Sequence, residues 1–171
     1  RRSEKNASGL GEQMERVLSQ AGLWHDLGKL DPRFQALLQG LNVWAINLDH
    51  PLAKSGRVRG KGEEFFTKQA GLPEGFRHEL LSTLIMHQSG ITTDLPERDL
   101  LLHLIASHHG HCRAVAPVIS DESPETFDVD MFGVTFRFEG VDCPLAHLSD
   151  GVTRRFWSLT RRYGWWGLPY L

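Results

Sequence analysis

The sequence is poor in cysteine and has no long apolar segment. Its two cysteines, Cys112 and Cys143, form no CxxC pair and do not suggest a disulfide framework. No apolar run reaches the roughly 18 residues that a membrane-spanning helix requires, and no signal peptide is recognisable. We therefore expect a protein of a reducing compartment, with the cytoplasm as its default location.

The net charge is small, and the common nucleotide-binding motifs are missing from the sequence. The formal charge of −2 and the pI near 6.5 do not by themselves indicate a nucleic-acid-binding protein. The sequence has neither a P-loop nor a dinucleotide-binding fingerprint, and nothing in it resembles a nucleophilic serine or cysteine site. Histidine, by contrast, is plentiful, with nine residues in a chain of 171.

The apolar pattern predicts one mainly α-helical domain over residues 1–171. An apolar content of 40% and a charged content of 23% are ordinary for a globular domain of this length. Helical periodicity predicts helices over residues 10–27, 32–39, 63–70, 76–89 and 99–109, and after residue 150. Alternating apolar residues over 127–138 predict a strand with a bulge or a β-hairpin that turns near Gly133. Because the chain starts at Arg1 and stops at Leu171 inside an apolar stretch, we expect one domain of a longer protein.

The most informative stretch is His25-Asp26-Leu27-Gly28-Lys29. Its adjacent imidazole and carboxylate offer nitrogen and oxygen ligands, a mixture that suits Mn, Fe, Co, Ni or Zn. Gly28 is predicted to take the left-handed conformation just past a helix end. If the helical turn continues to Lys29, its ammonium lies on the face of the His25 imidazole. A cation beside a metal ligand suggests a phosphate-containing substrate.

Further histidines lie on two later predicted helices. His78 and His87 are nine residues apart, which places them on opposite faces of one helix, and His78 is the favoured ligand. The helix over 99–109 is apolar nearly all round, so we expect it to be buried, with His103 as a core residue. His108 and His109 end this helix and would be costly there unless metal or backbone carbonyls satisfy them.

Together these motifs predict a metal site with more ligands than one tetrahedral ion takes from protein. Two ions roughly 3.5–4 Å apart, with Asp26 and a water between them, would use the whole set and activate water for attack on phosphorus. The predicted ligands are His25, Asp26, His78, His108 and His109. The histidines that we do not expect at this site are His50, His87 and His147.

Two basic segments are candidates for a nucleic-acid surface. The loop before residue 63 contains Lys54, Arg57 and Arg59, and the last predicted helix contains Arg155 and Arg162. They are interpreted either as a solvated surface or as cations that grip a phosphate backbone. The tryptophans near the last arginines serve either core packing or stacking on unpaired bases.

The order of these motifs resembles the HD phosphohydrolase superfamily, with its H…HD…H…HH…D pattern on a helical scaffold. Three strings are similar to the HD nuclease domain of the CRISPR-associated helicase–nuclease of type I systems: WHDLGKLDPRFQALL at 24–38, GFRHELLS at 75–82 and ASHHGH at 106–111. The segment RRFWSLTRRYGWWGLPYL at 154–171 is similar to variants whose HD domain follows the helicase on the same polypeptide.

This resemblance implies a fold, a reaction and partners. We expect an HD-domain helical bundle with a small β-hairpin appendage, and metal-dependent cleavage of single-stranded DNA. The RNA-guided CRISPR surveillance complex would expose the strand, and the helicase domain would feed it in. Asp26 and Lys29 are the expected catalytic residues, with one or two divalent ions as cofactor (Mn, Ni, Co or Fe, with Mg as an alternative).

The family pattern also has a first histidine, expected before Arg1, and a closing aspartate, expected beyond Leu171; the nearest candidate inside the chain is Asp150. Two other functions stay open at this point. One is an HD phosphohydrolase that acts on small nucleotides, which needs no more than the same metals. The other is a non-catalytic interaction module, in which the histidine motifs hold no metal.

Overall fold

The computed structural model of the protein describes residues 2–40, 44, 46–55, 63–131, 133–140, 149–165 and 167. It is mainly helical, as predicted, and its α-helices are α1 (Arg2–Trp24), α2 (Pro32–Gln39), α3 (Glu63–Gln69), α4 (His78–Gln88), α5 (Arg98–Ser107) and α6 (Ser149–Tyr163). A short 3-10 helix, Leu27–Leu30, lies between α1 and α2. No helix among the described residues is both long and apolar enough to cross a membrane.

Helix α5 is the centre of the core, because α1, α4 and α6 all pack against it. Its side chains are apolar on most faces, and Leu100, Leu102 and Ile105 are completely buried. The prediction that this helix is buried is therefore confirmed. Burial of each such side chain contributes roughly 1.5–3 kcal/mol to folding, so α5 is a rigid support for the residues at its two ends.

The alternating segment is a β-hairpin rather than a bulged strand. Strands β1 (Phe127–Met131) and β2 (Val134–Phe138) pair antiparallel, with Phe127 opposite Phe138. Gly133 has a φ of +80° at the turn, a conformation that glycine adopts without steric cost. Phe127 and Phe138 are both buried in the main core, so the hairpin is packed onto the helical body.

The second helix begins and ends as its residues predict. The Asp31 side chain accepts a hydrogen bond from the Arg33 backbone N–H at 2.8 Å, and Pro32 occupies the first helical position. Gly40 ends the helix in the left-handed conformation, with a φ of +65°.

The first helix differs from its predicted limits of 10 and 27, since it runs from Arg2 to Trp24. His25 N–H still donates to Ala21 O at 3.0 Å, but the chain then tightens, and Lys29 N–H donates to Asp26 O at 2.9 Å. The His-Asp pair therefore lies at a junction between two kinds of helix rather than inside one.

Candidate metal centre

Close packing against α4 holds this junction in place. The Gly28 N–H donates to Ser82 Oγ at 2.8 Å, and the Ser82 hydroxyl lies 2.7 Å from His25 O and 2.9 Å from His78 O. A Cβ at Gly28 would lie only 2.1 Å from His78 O. Gly28 does not have a positive φ, so the predicted left-handed conformation is wrong. Glycine is required here because a backbone carbonyl of α4 occupies the space of a side chain.

The structure brings together all five of the predicted ligands. Asp26 Oδ1 lies 3.3 Å from His78 Nε2 and 4.0 Å from His108 Nε2. Asp26 Oδ2 lies 3.4 Å from His25 Nε2, and the Nε2 atoms of His78 and His109 are 3.3 Å apart. We call these five residues the His–Asp cluster.

Backbone contacts orient two of the imidazoles. His25 Nδ1 is 2.8 Å from Gly22 O, and His108 Nδ1 is 2.8 Å from Ile105 O. Because a carbonyl oxygen can only accept, each Nδ1 must carry the hydrogen, and each neutral ring has its lone pair on Nε2. Both Nε2 atoms face Asp26, so the two rings present metal-binding lone pairs to the same carboxylate.

The spacing of the cluster fits divalent metal. Two overlapping groups, His78/His108/His109 and His25/Asp26/His108, each have their ligand atoms within 4.8 Å of one another. Ligands that lie about 2.0–2.2 Å from one ion are separated by at most roughly 4.4 Å, so small movements suffice. Among the residues that the structure describes, buried Asp26 Oδ1 has no hydrogen-bond partner. A cation would satisfy this oxygen, and the donor set suits one.

The electrostatics of the cluster favour the metal-binding protonation states. Burial raises the pKa of Asp26, but the hydrogen bond from Lys29 and the nearby His25 outweigh it and hold the pKa below its ordinary value. Burial, together with the charge of Lys29, lowers the pKa of His78 to about 4. Burial likewise lowers the pKa of His108. At neutral pH the imidazoles of His78 and His108 are therefore neutral and the carboxylate of Asp26 is ionised, as metal binding requires.

Lys29 contacts the carboxylate rather than the imidazole. Its Nζ donates to Asp26 Oδ2 at 2.8 Å and to Ala53 O at 3.3 Å. The predicted position on the face of His25 is wrong, because α1 ends before this residue and the 3-10 turn redirects the side chain. Gln35 holds the loop segment before Ala53 in place. The Leu52 N–H donates to Gln35 Oε1 at 2.8 Å, and Gln35 Nε2 donates to Leu52 O at 3.1 Å.

The remaining histidines lie elsewhere. His50 and His87 are exposed, and neither belongs to a metal-competent group of the described residues. His103 is 5% exposed and packs against Phe156, as a core histidine would. His147 lies outside the described residues.

The two arginines of α6 that were expected to contact DNA, Arg155 and Arg162, lie at the far end of α5. Arg155 is only 6% exposed, with its Nε 3.6 Å from Asp99 Oδ1, so the expectation that it contacts DNA is corrected: its guanidinium is inside the protein. Arg162 is exposed but is paired with Glu97. Glu97 precedes α5 and His108 follows it, so the two ends of α5 are separated by roughly 16 Å at about 1.5 Å per helical residue.

Of the predicted cations in the loop before α3, Lys54 is exposed beside Ala53, whereas Arg57 and Arg59 lie outside the described residues.

A cavity of about 720 Å³ adjoins the His–Asp cluster between α1, α5 and α6. Its lining includes His25 and His108 of the cluster, together with Phe156, Trp165 and Arg113. Arg113 was not among the predicted site residues, because the sequence around it shows no recognisable motif. Ser82 was not predicted either, although a small polar residue one helical turn after His78, within an apolar stripe, was a usable signal.

The fold and the site together define an HD-type domain, a helical scaffold that gathers a His-Asp pair and histidines from separate helices. The family model described as "Cas3, HD domain" matches residues 1–142. The chain belongs to this family, the HD nuclease domain of Cas3 in type I CRISPR systems, as the resemblance predicted. It is therefore a metal-dependent hydrolase of the nuclease and phosphohydrolase class. No curated protein and no solved structure matches the chain.

Proposed function

We propose that this chain hydrolyses phosphodiester bonds of single-stranded DNA during CRISPR interference. The observation that carries the proposal is the His–Asp cluster itself, assembled at the end of a buried helix in a chain of the Cas3 HD family. The cluster combines imidazole nitrogens with one carboxylate. This ligand set suits Mn, Ni, Co or Fe, and Mg is an alternative that prefers oxygen ligands.

Each member of the cluster has a role in this proposal. The four imidazoles and Asp26 hold one or two divalent ions, and the two carboxylate oxygens face different neighbours: Oδ1 faces His78 and His108, whereas Oδ2 faces His25. Bound ions supply an activated water and neutralise the charge of the phosphodiester. Asp26 is thus the residue that joins the two halves of the cluster.

Lys29 is proposed to contact the substrate phosphate. Described residues occupy two of the three donors of its ammonium, through Asp26 Oδ2 and Ala53 O. The third donor is available to a phosphate oxygen next to the cluster. The two existing contacts hold Nζ in place, so little side-chain freedom is lost when the substrate binds.

The surroundings of the cluster favour a strand as substrate. Trp165 is 56% exposed at the cavity, where Arg113 adds a cation, and exposed Lys54 follows Ala53. An exposed aromatic ring and cations near a catalytic site suit successive bases and phosphates. One observation favours the second candidate, a small-nucleotide hydrolase: the cavity volume of about 720 Å³ is of the size that encloses a small ligand.

The partners in this proposal follow from family membership and from the segment at 154–171. A helicase on the same polypeptide delivers the strand, and an RNA-guided surveillance complex in the cytoplasm exposes it. These partners explain how a domain with a net charge of only −2 gains access to DNA, since most of the affinity then comes from other parts of the assembly.

The decisive experiment supplies the helicase-containing protein with Mn²⁺, Co²⁺ or Ni²⁺ and three substrates: single-stranded DNA, duplex DNA and free nucleotides. We expect the single strand to be degraded first, with little phosphate released from nucleotides. Rapid nucleotide hydrolysis with intact DNA would establish the second candidate. Metal analysis that finds no bound ion, with no cleavage, would establish a non-catalytic module. His50→Ala is the matched control, because this exposed histidine should be dispensable.

A further inference from the structure

Glu79 is a buried carboxylate directly behind the His–Asp cluster. It is 1% exposed, on α4 beside His78. Its Oε2 lies 3.6 Å from His78 Nδ1, and its Oε1 lies 3.9 Å from Arg77 Nη1. Among the described residues, Oε1 has no hydrogen-bond partner. Because a buried carboxylate oxygen without a hydrogen bond opposes folding, the presence of Glu79 calls for a compensating interaction.

The ring of His78 indicates what that interaction is. Its Nε2 faces Asp26 and His109, at 3.3 Å from each contacting atom. To bind metal through Nε2, the neutral ring must carry its hydrogen on Nδ1, and this hydrogen then points at Glu79. His25 and His108 direct their Nδ1 hydrogens at backbone carbonyls instead. Of these three ligands, His78 is therefore the one whose Nδ1 faces a charged acceptor.

We propose that Glu79 is a positioning residue that holds His78 in its metal-binding tautomer. Its carboxylate accepts the Nδ1 hydrogen, a contact that tightens from 3.6 Å when Nε2 binds metal. Carboxylate–histidine–metal arrangements fix the orientation of the ring and make the nitrogen a stronger ligand. This inference rests on the metal site of the proposed function.

The arrangement has an energetic consequence that a purely structural carboxylate lacks. Without metal, Glu79 lowers the stability of the fold, because its charge is buried and Oε1 accepts no hydrogen bond from the described residues, with Arg77 Nη1 as distant as 3.9 Å. With metal, the positive ion behind His78 attracts this charge across the imidazole. Glu79 should therefore stabilise the metal-bound form and destabilise the metal-free form.

The test compares Glu79→Gln with wild type in the full chain, using calorimetric titration with Mn²⁺ and urea unfolding in EDTA. We expect metal affinity to fall roughly 10- to 100-fold, while the urea midpoint of the metal-free protein stays the same or rises. Co²⁺ absorption spectra should also change, because the ligand field of His78 changes. A structural role would instead lower the urea midpoint and leave both metal readouts unchanged.

Glu97→Gln is the matched control, because Glu97 is also buried, at 5% exposure, but accepts hydrogen bonds from Arg162 and Tyr163 at the other end of α5. It should lower the urea midpoint without weakening metal binding.

Equal metal affinity of Glu79→Gln and wild type would overturn the inference and leave the proposed function intact. A wild-type protein that binds no metal would overturn both. If Glu79→Gln does not fold, Glu79→Asp keeps the charge with a shorter reach. It should bind Mn²⁺ more weakly than wild type, and equal binding would again overturn the inference.

Discussion

The two ends of helix α5 both carry polar groups against the core, but they satisfy those groups in opposite ways. At the N-terminal end, Glu97 accepts hydrogen bonds from Arg162 and from Tyr163, the latter at 2.9 Å. We call this the Glu97 cluster. At the C-terminal end, the imidazole of His108 and the carboxylate of Asp26 turn lone pairs toward each other, 4.0 Å apart.

The difference lies in complementarity rather than in burial. Donors match acceptors in the Glu97 cluster, so the protein alone satisfies it, and removal of one member leaves a partner unpaired. The His–Asp cluster consists mainly of acceptors, and among the described residues Asp26 Oδ1 has no partner. A polar cluster that its own protein leaves incomplete indicates a ligand from outside, here a cation.

The largest expected effect separates these two clusters directly. His108→Ala should abolish metal retention, with affinity reduced by more than the roughly 100-fold typical of an outer-shell change, because both metal-competent groups include His108. Its unfolding free energy should change little. Glu97→Ala should retain metal but lose about 1–3 kcal/mol of stability, the cost of a broken buried hydrogen bond. Metal analysis and urea unfolding check both, and the reverse pattern would refute the comparison.

The next effect concerns the packing that holds the His–Asp cluster. Gly28→Ala should destabilise the protein by about 3 kcal/mol or more and weaken metal binding, because the new Cβ would lie 2.1 Å from His78 O. Gly11→Ala is the control, since no described atom lies within 4 Å of its Cβ position on α1. That variant should be more stable by roughly 0.5–1 kcal/mol. Thermal unfolding with and without Mn²⁺ measures both. Equal effects of the two substitutions would show that the close contact is unimportant.

His103 lies on α5 between the two clusters and should make the metal-free fold sensitive to acid. Burial, followed by the charges of Arg155 and Arg113, lowers the pKa of His103 from 6.5 to about 4. The unfolded chain therefore takes up a proton at a higher pH than the folded chain. The contribution of neutral His103 to the free energy of unfolding is fully present above about pH 6.5. It is lost as the pH falls toward about 4, which lowers the free energy of unfolding by at most roughly 3 kcal/mol.

Urea unfolding in EDTA at several pH values tests this expectation. His103→Leu should lose less stability than wild type between pH 7 and 4.5, whereas a variant of exposed His50 should keep the full acid sensitivity. If the free energy of unfolding depended on pH with the same slope in wild type and His103→Leu, the acid sensitivity would belong to other groups, such as His78, whose pKa is also lowered to about 4.

A smaller effect is expected from Lys29, which touches the His–Asp cluster without being one of its ligands. Lys29→Ala should reduce DNA cleavage on the order of 100-fold, as for loss of one donor to a reacting oxygen, with metal content unchanged. Lys68→Ala, an exposed lysine on α3, is the control. Loss of metal together with activity would mean that Lys29 serves only to hold Asp26 in place, through the 2.8 Å contact.

Local patterns in the sequence predicted much of the fold. Asp31 with Pro32 marked the start of α2, and Gly133 marked the hairpin turn. Counting about 100° per residue separated His78 from His87. Each of these inferences depends on one segment of chain, so the sequence alone is sufficient for it.

The features that were missed depend on contacts between distant segments. The role of Gly28 follows from a carbonyl of α4, fifty residues away along the chain. Arg155 looked like a surface cation in the sequence, because only packing beside Asp99 makes it buried. The cavity that joins Arg113 to Trp165 likewise exists only once α5 and α6 have packed.

The smallest expected effect concerns the salt dependence of DNA binding. The test compares two cations, one near each end of α5. Lys54 is exposed beside Ala53, whose carbonyl contacts Lys29 near the His–Asp cluster, whereas Arg162 belongs to the Glu97 cluster. Each phosphate contact on a single strand contributes about 0.7 to the slope of log K against log salt. Lys54→Gln should therefore flatten the slope by about 0.7, and Arg162→Gln should leave it unchanged. Fluorescence anisotropy with labelled single-stranded DNA, at salt concentrations where both variants stay folded, measures the slopes. If Arg162→Gln flattened the slope and Lys54→Gln did not, the strand would cross α6 at the Glu97 cluster, and that end of α5 would be functional as well as structural.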